Sequence, residues 1–312
     1  MSDSDELEGK AFEIGVIGGG PAGLSAAIWS ARYRRSVLLI DSGDPRNWET
    51  RSVNGYLGSP AIRPAELRAS GRKECADTGV TLVDATVLCA DSIVDGTLRL
   101  QIEGGSTVHV QRLLLAIGMR DVWPDVPGLE HVYGANAHVC PDCDGYEASG
   151  KKVVVVGCGK RAVAMALALT TWTSDIVICT NGRPAEIDEM ELSKKLEACN
   201  IPVLTEAIVN LGRRGSDITS LTLASGEQLD TDKLFFTLAQ YPADDLGVQL
   251  GCERDRGGHI TISEHHATSV EGVFAAGDIT PGAQLAIRAA AGGAVAAMAM
   301  HRSLLPDYRK LR

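Results

Sequence analysis

The chain has 312 residues, 45% of them hydrophobic and 22% charged, with a formal net charge of −10. That length supports two domains with substantial cores, and the acidic balance excludes a general nucleic-acid binder. The eight scattered cysteines do not form a secreted disulfide framework, so a reducing, cytoplasmic setting is expected. Residues 1–9, MSDSDELEG, are acidic and polar and read as a disordered leader rather than a secretory signal. EIGVIGGGPAGLSAAIWSA follows as a short apolar strand, a glycine turn from Gly18 to Gly23 and a helical pattern. A second strand, SVLLID, ends at Asp41, 23 positions after Gly18. This is a dinucleotide fingerprint with a reason at each position. Gly18 allows the tight turn, Gly20 lets the backbone approach a pyrophosphate, Gly23 lets helix pack on strand, and Asp41 can accept ribose hydroxyls. The helix N-terminus supplies free N–H groups and the positive end of its dipole. Further on, LLLAIG at 113–118 is an apolar strand ending in Gly118, and the proline-bearing stretch to Gly128 reads as a crossover between domains.

The run VCPDCDGYE at 139–147 carries the most chemistry. Cys140 and Cys143 are separated by two residues, and Asp144 stands directly behind the second. Such a pair shuttles two electrons: one thiolate attacks a partner's disulfide and the other resolves the mixed disulfide. Half of a zinc site is the rival reading. The other six cysteines (75, 89, 158, 179, 199 and 252) supply no second pair at ligand spacing, so no metal is expected. His138, two residues earlier, reads as a surface or packing histidine.

A second copy of the fingerprint begins at KKVVVVGCGKRA, with Gly157, Gly159 and Ala162 in the three glycine positions, 139 residues after the first. Its second strand, DIVIC, ends at Thr180, again 23 positions after the first glycine. The expected acid is missing. Thr180-Asn181-Gly182 offers neither a carboxylate for NAD nor an arginine for the extra phosphate of NADP, and Arg183 reads as a solvated loop residue. A Rossmann-like domain that binds nothing is the plain alternative. Near the C-terminus, TSVEGVFAAGD brings a strand to Gly277 and Asp278, with a helix expected from about Gln284. A carboxylate and a helix N-terminus at one place suit a polyol hydroxyl and an electron-rich ring edge, as in a flavin. The apolar stretch AIRAAAGGAVAAMAM at 286–300 is too short and too rich in Ala and Gly to span a membrane, and predicts a buried helix.

The ordered motifs GGGPAG (18–23), LLAIG (114–118), CPDCDG (140–145), GCGKRA (157–162) and GVFAAGD (272–278) cover nearly the whole chain. Together they resemble the low-molecular-weight thioredoxin reductase family of FAD-dependent disulfide oxidoreductases. The resemblance implies an α/β fold with two Rossmann-like domains. A discontinuous FAD domain, residues 10–118 and 243–312, would hold an inserted NAD(P)H-type domain, 119–242, that carries the cysteines. It further implies FAD on Gly18, Gly20, Gly23, Asp41, Asn54, Gly118, Gly277, Asp278 and Gln284. Cys143 would be the cysteine nearest the flavin, Cys140 the one that attacks the partner, and Asp144 the acid–base group. Family members are homodimers and act on thioredoxin-like proteins or small disulfides.

The departures are as informative. Typical members carry His-Arg-Arg after the second domain's second strand and a further Arg beyond. Here Thr180, Asn181 and Gly182 stand in those places, with Glu186 at the later one. Each lost charge-assisted contact to phosphate would cost about 1.5–3 kcal/mol. The resemblance is therefore to a divergent branch with a donor other than NADPH, ferredoxin for example. Alternatives are a dithiol oxidase passing electrons to oxygen, a conventional NADPH enzyme with another phosphate grip, and a non-catalytic redox sensor. The surviving turn at Gly157, Gly159 and Ala162 leaves room for a second adenine-containing cofactor, even a second FAD.

Overall fold

The computed structural model describes residues 7–93, 96–187 and 190–310. By contacts the chain forms two compact units: Met1–Arg46, Tyr56–Arg120 and Tyr241–Arg312 make the first, and Asn47–Gly55 with Asp121–Gln240 the second. The first six residues of the expected leader lie outside the described residues. Leu7 is buried, and the Gly9 N–H donates to the Thr107 carbonyl, which ties residues 7–9 to the first unit.

Among the described residues the first unit is built on a seven-stranded sheet. Thr81–Asp84, Val37–Asp41, Ala11–Ile17 and Thr107–Leu115 lie side by side and parallel. Parallel strands covered on both faces read as continuous apolar runs, and all five residues of Val37–Asp41 are buried. The long strand Thr107–Leu115 serves two neighbours on its far side. Its first half pairs antiparallel with Leu98–Ile102, and its last three residues pair parallel with Val273–Ala275. Ile17 is thus in register with Leu115, and Leu115 with Ala275. The glycine turn, the Ala116–Gly118 segment and Gly277-Asp278 consequently all leave the sheet from its carboxyl edge, where open α/β sheets hold ligands.

One face of this sheet (Ile14, Val16, Leu39, Leu114) packs on Ala26 and Ala27 of helix Pro21–Arg32 and on Ala296 and Ala297 of helix Ala286–Ser303. The Ala- and Gly-rich stretch is therefore a half-buried helix. Its other side keeps Ile287 and Val295 partly exposed. No helix among the described residues is long and apolar enough to cross a membrane. The helix begins at Ala286, so Gln284 precedes it in the extended approach.

The second unit holds a five-stranded parallel sheet in the order Val203–Leu204, Ile176–Cys179, Val153–Gly157, Lys233–Thr237 and Ala137–His138. Val153, Val155 and Phe235 face helix Gly159–Leu169. The opposite face, through Val154, Val156 and Phe236, packs on a three-stranded antiparallel sheet through Ile208, Leu211, Ile218 and Leu221. Both units are Rossmann-like, as the repeated fingerprint predicts.

Candidate functional site

In the first unit the fingerprint glycines are required by contact distances. A Cβ on Gly18 would lie 2.3 Å from the Ala116 carbonyl oxygen, and one on Gly23 1.8 Å from the Gly18 carbonyl oxygen. Gly20 differs: a Cβ there would meet no heavy atom within 4 Å, so the turn faces open space that a pyrophosphate can enter. Gly19, given no role by the sequence reading, makes room for Asp41, whose Oδ2 would be 2.2 Å from an added Cβ. Asp41 is buried beside the turn and accepts from Arg68, with Arg72 Nη1 at 3.8 Å. Gly277 lies against Ala22 in the first helical turn, 3.0 Å from its Cβ by the same measure. Asp278 and Gln284 meet on one cation: Arg46 Nη1 is 3.1 Å from Asp278 Oδ2 and 2.7 Å from Gln284 Oε1. Gly118 has a left-handed backbone with φ of 73°, as its turn demands. These residues fit FAD. Gly18, Gly20 and Gly23 would take the pyrophosphate, Asp41 the ribose and Asp278 the polyol chain. When bound, the flavin gives or accepts the electron pair.

In the second unit Cys140 and Cys143 are joined as a disulfide, with Cα atoms 5.3 Å apart. Pro141 opens the one-turn helix Pro141–Asp144, and Cys140 caps it: its Sγ accepts the Cys143 N–H at 3.1 Å. Gly145 ends the turn because a Cβ would strike the Trp172 ring at 2.4 Å. Asn54, expected beside the flavin, belongs to the cysteine unit. Its Nδ2 donates to the Cys143 carbonyl at 3.1 Å, and its Oδ1 accepts from Ser52 Oγ at 2.9 Å.

Of the two readings of His138, surface or packing, the structure has the second. The residue is buried, its Nδ1 lies 3.4 Å from Asp144 Oδ1, and its ring packs 5.4 Å from Phe235. Its Nε2 lies 3.4 Å from Lys233 Nζ, which also donates to the Ala135 carbonyl at 3.1 Å. Burial pushes the Lys233 pKa down, with the Asp144 carboxylate opposing the shift. In the first unit Arg35 is a largely buried cation, 2.6 Å from Glu13 and bonded to His301.

The second glycine turn keeps its close packing: a Cβ on Gly157 would sit 2.9 Å from the Thr237 carbonyl oxygen and 3.3 Å from the Ala162 Cβ. One of its N–H donors, however, is taken. The Gly159 N–H donates to the Ala185 carbonyl at 2.8 Å, and the Glu186 backbone and carboxylate lie within 3.5–3.7 Å of the position a Gly159 Cβ would fill. Burial, joined by the Glu186 carboxylate, pushes the Cys158 thiol up, with Arg183 opposing. Asn181 holds the loop from both sides: Nδ2 donates to the Asp125 carbonyl at 2.9 Å, and Oδ1 accepts the Ile208 N–H at 2.7 Å. Thr180 Oγ1 donates to the Arg183 carbonyl, and Gly182 has φ of 78°. Thr180 and Asn181, at two of the phosphate-grip positions, thus spend their side-chain hydrogen bonds on the loop and the backbone beside it. Cys179 is buried as a small apolar residue. Among the described residues no group of three or more His, Cys, Asp or Glu side chains is placed to hold a metal.

The family model for pyridine nucleotide-disulphide oxidoreductases matches residues 12–293. Thioredoxin reductase tcpT of Claviceps purpurea is 31% identical over 280 residues, 84% of this chain and 85% of that protein. The thioredoxin reductase of Bacillus subtilis is 27% identical over 281 residues, 87% of this chain and 88% of its own length. Among solved structures, an oxidoreductase from Agrobacterium tumefaciens superposes with a TM-score of 0.84 at 30% identity, covering 96% of this chain and all of the other. The chain belongs to the pyridine nucleotide-disulphide oxidoreductase family and is an FAD-dependent flavoprotein of thioredoxin-reductase type.

Proposed function

We propose that the chain passes electrons between FAD and a protein or small-molecule disulfide through Cys140 and Cys143, with Asp144 as proton partner and a donor other than NADPH. The bond from the Gly159 N–H to the Ala185 carbonyl carries the donor reading. An amide that donates at 2.8 Å to its own chain is withdrawn from a pyrophosphate, and the neighbouring Glu186 carboxylate repels one. The same closure speaks against a second adenine-containing cofactor on this turn. A thioredoxin-like partner is the natural expectation from the relatives named thioredoxin reductases, and a homodimer is what the family resemblance implies. On this reading the donor is a small iron–sulfur protein such as ferredoxin.

Anaerobic mixing tests this directly. Stoichiometric NADPH or NADH is expected to leave the flavin oxidised over minutes, whereas reduced ferredoxin is expected to bleach it. Bleaching by NADPH within seconds would overturn the donor reading. Rapid reduction by a dithiol with peroxide on re-aeration would make the protein an oxidase instead. The FAD released from purified protein is expected to be about one per chain by this reading of the closed second turn; a value near two would refute it.

A further inference from the structure

We propose that His138 and Lys233 form a proton relay that feeds Asp144 during thiol–disulfide exchange, with Lys233 as the proton store. The inference rests on Cys140 and Cys143 being the exchange centre, as argued above. Three titratable side chains follow one another from Asp144, the residue after Cys143: Asp144, His138 at 3.4 Å, then Lys233 at 3.4 Å from the far nitrogen of the ring. The chemistry of the donors fixes the direction. An ammonium has no lone pair, so Lys233 donates and His138 Nε2 accepts. The ring proton then sits on Nδ1, facing the Asp144 carboxylate. The His138 side chain is only 5% exposed and that of Asp144 14%, so water has little access to the middle of the line.

The steps balance. In the reduced pair Cys140 is a thiolate and Cys143 a thiol. The Cys140 sulfur bonds to one sulfur of the partner's disulfide, that S–S bond breaks, and the other sulfur leaves with the electron pair. This leaving thiolate takes a proton through Asp144, which draws on His138 Nδ1–H while Lys233 gives a proton to Nε2. Cys143 then passes its own proton through Asp144 to the second leaving sulfur as it closes the Cys140–Cys143 disulfide. Two cysteines are oxidised, the partner is reduced to two thiols, Lys233 is left as a neutral amine and His138 as its Nε2–H tautomer. The line resets when a proton from water enters at Asp144 and passes to Nδ1 while Nε2 returns its proton to Lys233. Such a store needs an amine that releases its proton readily, which burial provides. The charged groups around Lys233 are Asp144, Glu147 and Asp217, which favour the ammonium, and Arg51, which opposes it.

The test is single-turnover oxidation of FAD-loaded protein, pre-reduced anaerobically with stoichiometric dithionite, by two probes. Hydroxyethyl disulfide has a basic leaving thiolate that needs a proton; 5,5′-dithiobis(2-nitrobenzoate) has an acidic one that does not. Lys233→Met and His138→Gln are expected to slow the first probe at least tenfold and the second by less than twofold. Wild type is expected to slow at alkaline pH with the aliphatic probe as Lys233 loses its proton, and both variants should lose that fall. Lys233→Arg keeps the charge but cannot give up its proton, so it should behave like Lys233→Met. Equal loss on both probes, no loss on either, or full activity of Lys233→Arg would overturn the relay. Cys140→Ser separates the layers: if it still exchanges with both probes, the reading of the pair fails, and the relay with it.

Discussion

Cys140→Ser and Cys143→Ser are each expected to lower steady-state disulfide turnover by about 10⁴-fold or more while leaving FAD bound. Two-electron exchange needs one sulfur to attack and another to resolve, so each replacement removes one of the two steps. The buried Cys75 is pushed up to about 11, and burial likewise pushes up the buried Cys179 and Cys252. The flavin site is unaffected because its residues (Gly18, Gly20, Gly23, Asp41, Asp278) belong to the other unit.

The two variants should differ before they fail. With Cys143 replaced, Cys140 still attacks, so a reduced sample mixed with an aromatic disulfide should release one equivalent of thiol per chain and stop as a mixed disulfide. With Cys140 replaced, that burst should be absent. Mass spectrometry of the trapped adduct reads the result. A burst from Cys140→Ser but not from Cys143→Ser would reverse the outward and inward assignment. Undiminished turnover in either variant would remove the pair from the reaction.

What could be read from the sequence is what local spacing determines. The two glycine turns, the strands before them and the Cys-x-x-Cys pair each involve residues within a few positions, and the structure reproduces them. The missing acid at Thr180–Gly182 was equally legible as an absence. Its cause was not: that Asn181 is bonded to Asp125 and Ile208, and Gly159 to Ala185, depends on partners 26–56 residues away. The same limit hid the partners of His138. A histidine on a two-residue strand has no periodicity to mark it as buried, and Lys233, 95 residues on, reaches it only because strand Lys233–Thr237 pairs with Ala137–His138. Arg46 and Arg68 escaped because arginines near turns are usually solvated. Their carboxylate partners, Asp278 and Asp41, are the residues that had been singled out. Asn47–Gly55 was placed with the flavin domain by chain continuity, whereas its contacts, through Arg51 to Gly134 and Asn54 to Cys143, lie in the cysteine unit.

Gly293→Ala is the substitution in the FAD unit for which two opposing effects can be weighed. In an exposed helix the change would stabilise by about 1 kcal/mol, because glycine is the poorer helix former. Here the added Cβ would lie 2.0 Å from the Ala22 carbonyl oxygen, 2.9 Å from its carbon and 3.1 Å from its Cα. All three are backbone atoms, so no rotamer change relieves the contact, and the two helices must separate. Overpacking of that kind costs about 1–3 kcal/mol or more, so the clash wins. The displaced element is the first turn of Pro21–Arg32, whose free N–H groups would face the cofactor's pyrophosphate. The variant is therefore expected to purify with substoichiometric flavin and a Tm lowered by a few degrees, partly restored by added FAD. Gly292→Ala is the control. Its Cβ would meet His266 Cε1 at 2.9 Å, a ring edge that can give way where backbone cannot. Thermal unfolding followed by flavin fluorescence distinguishes the two. Full flavin content and an unchanged Tm in Gly293→Ala would show that the helix pair tolerates the separation and that the small residues are not what brings this helix to the glycine turn.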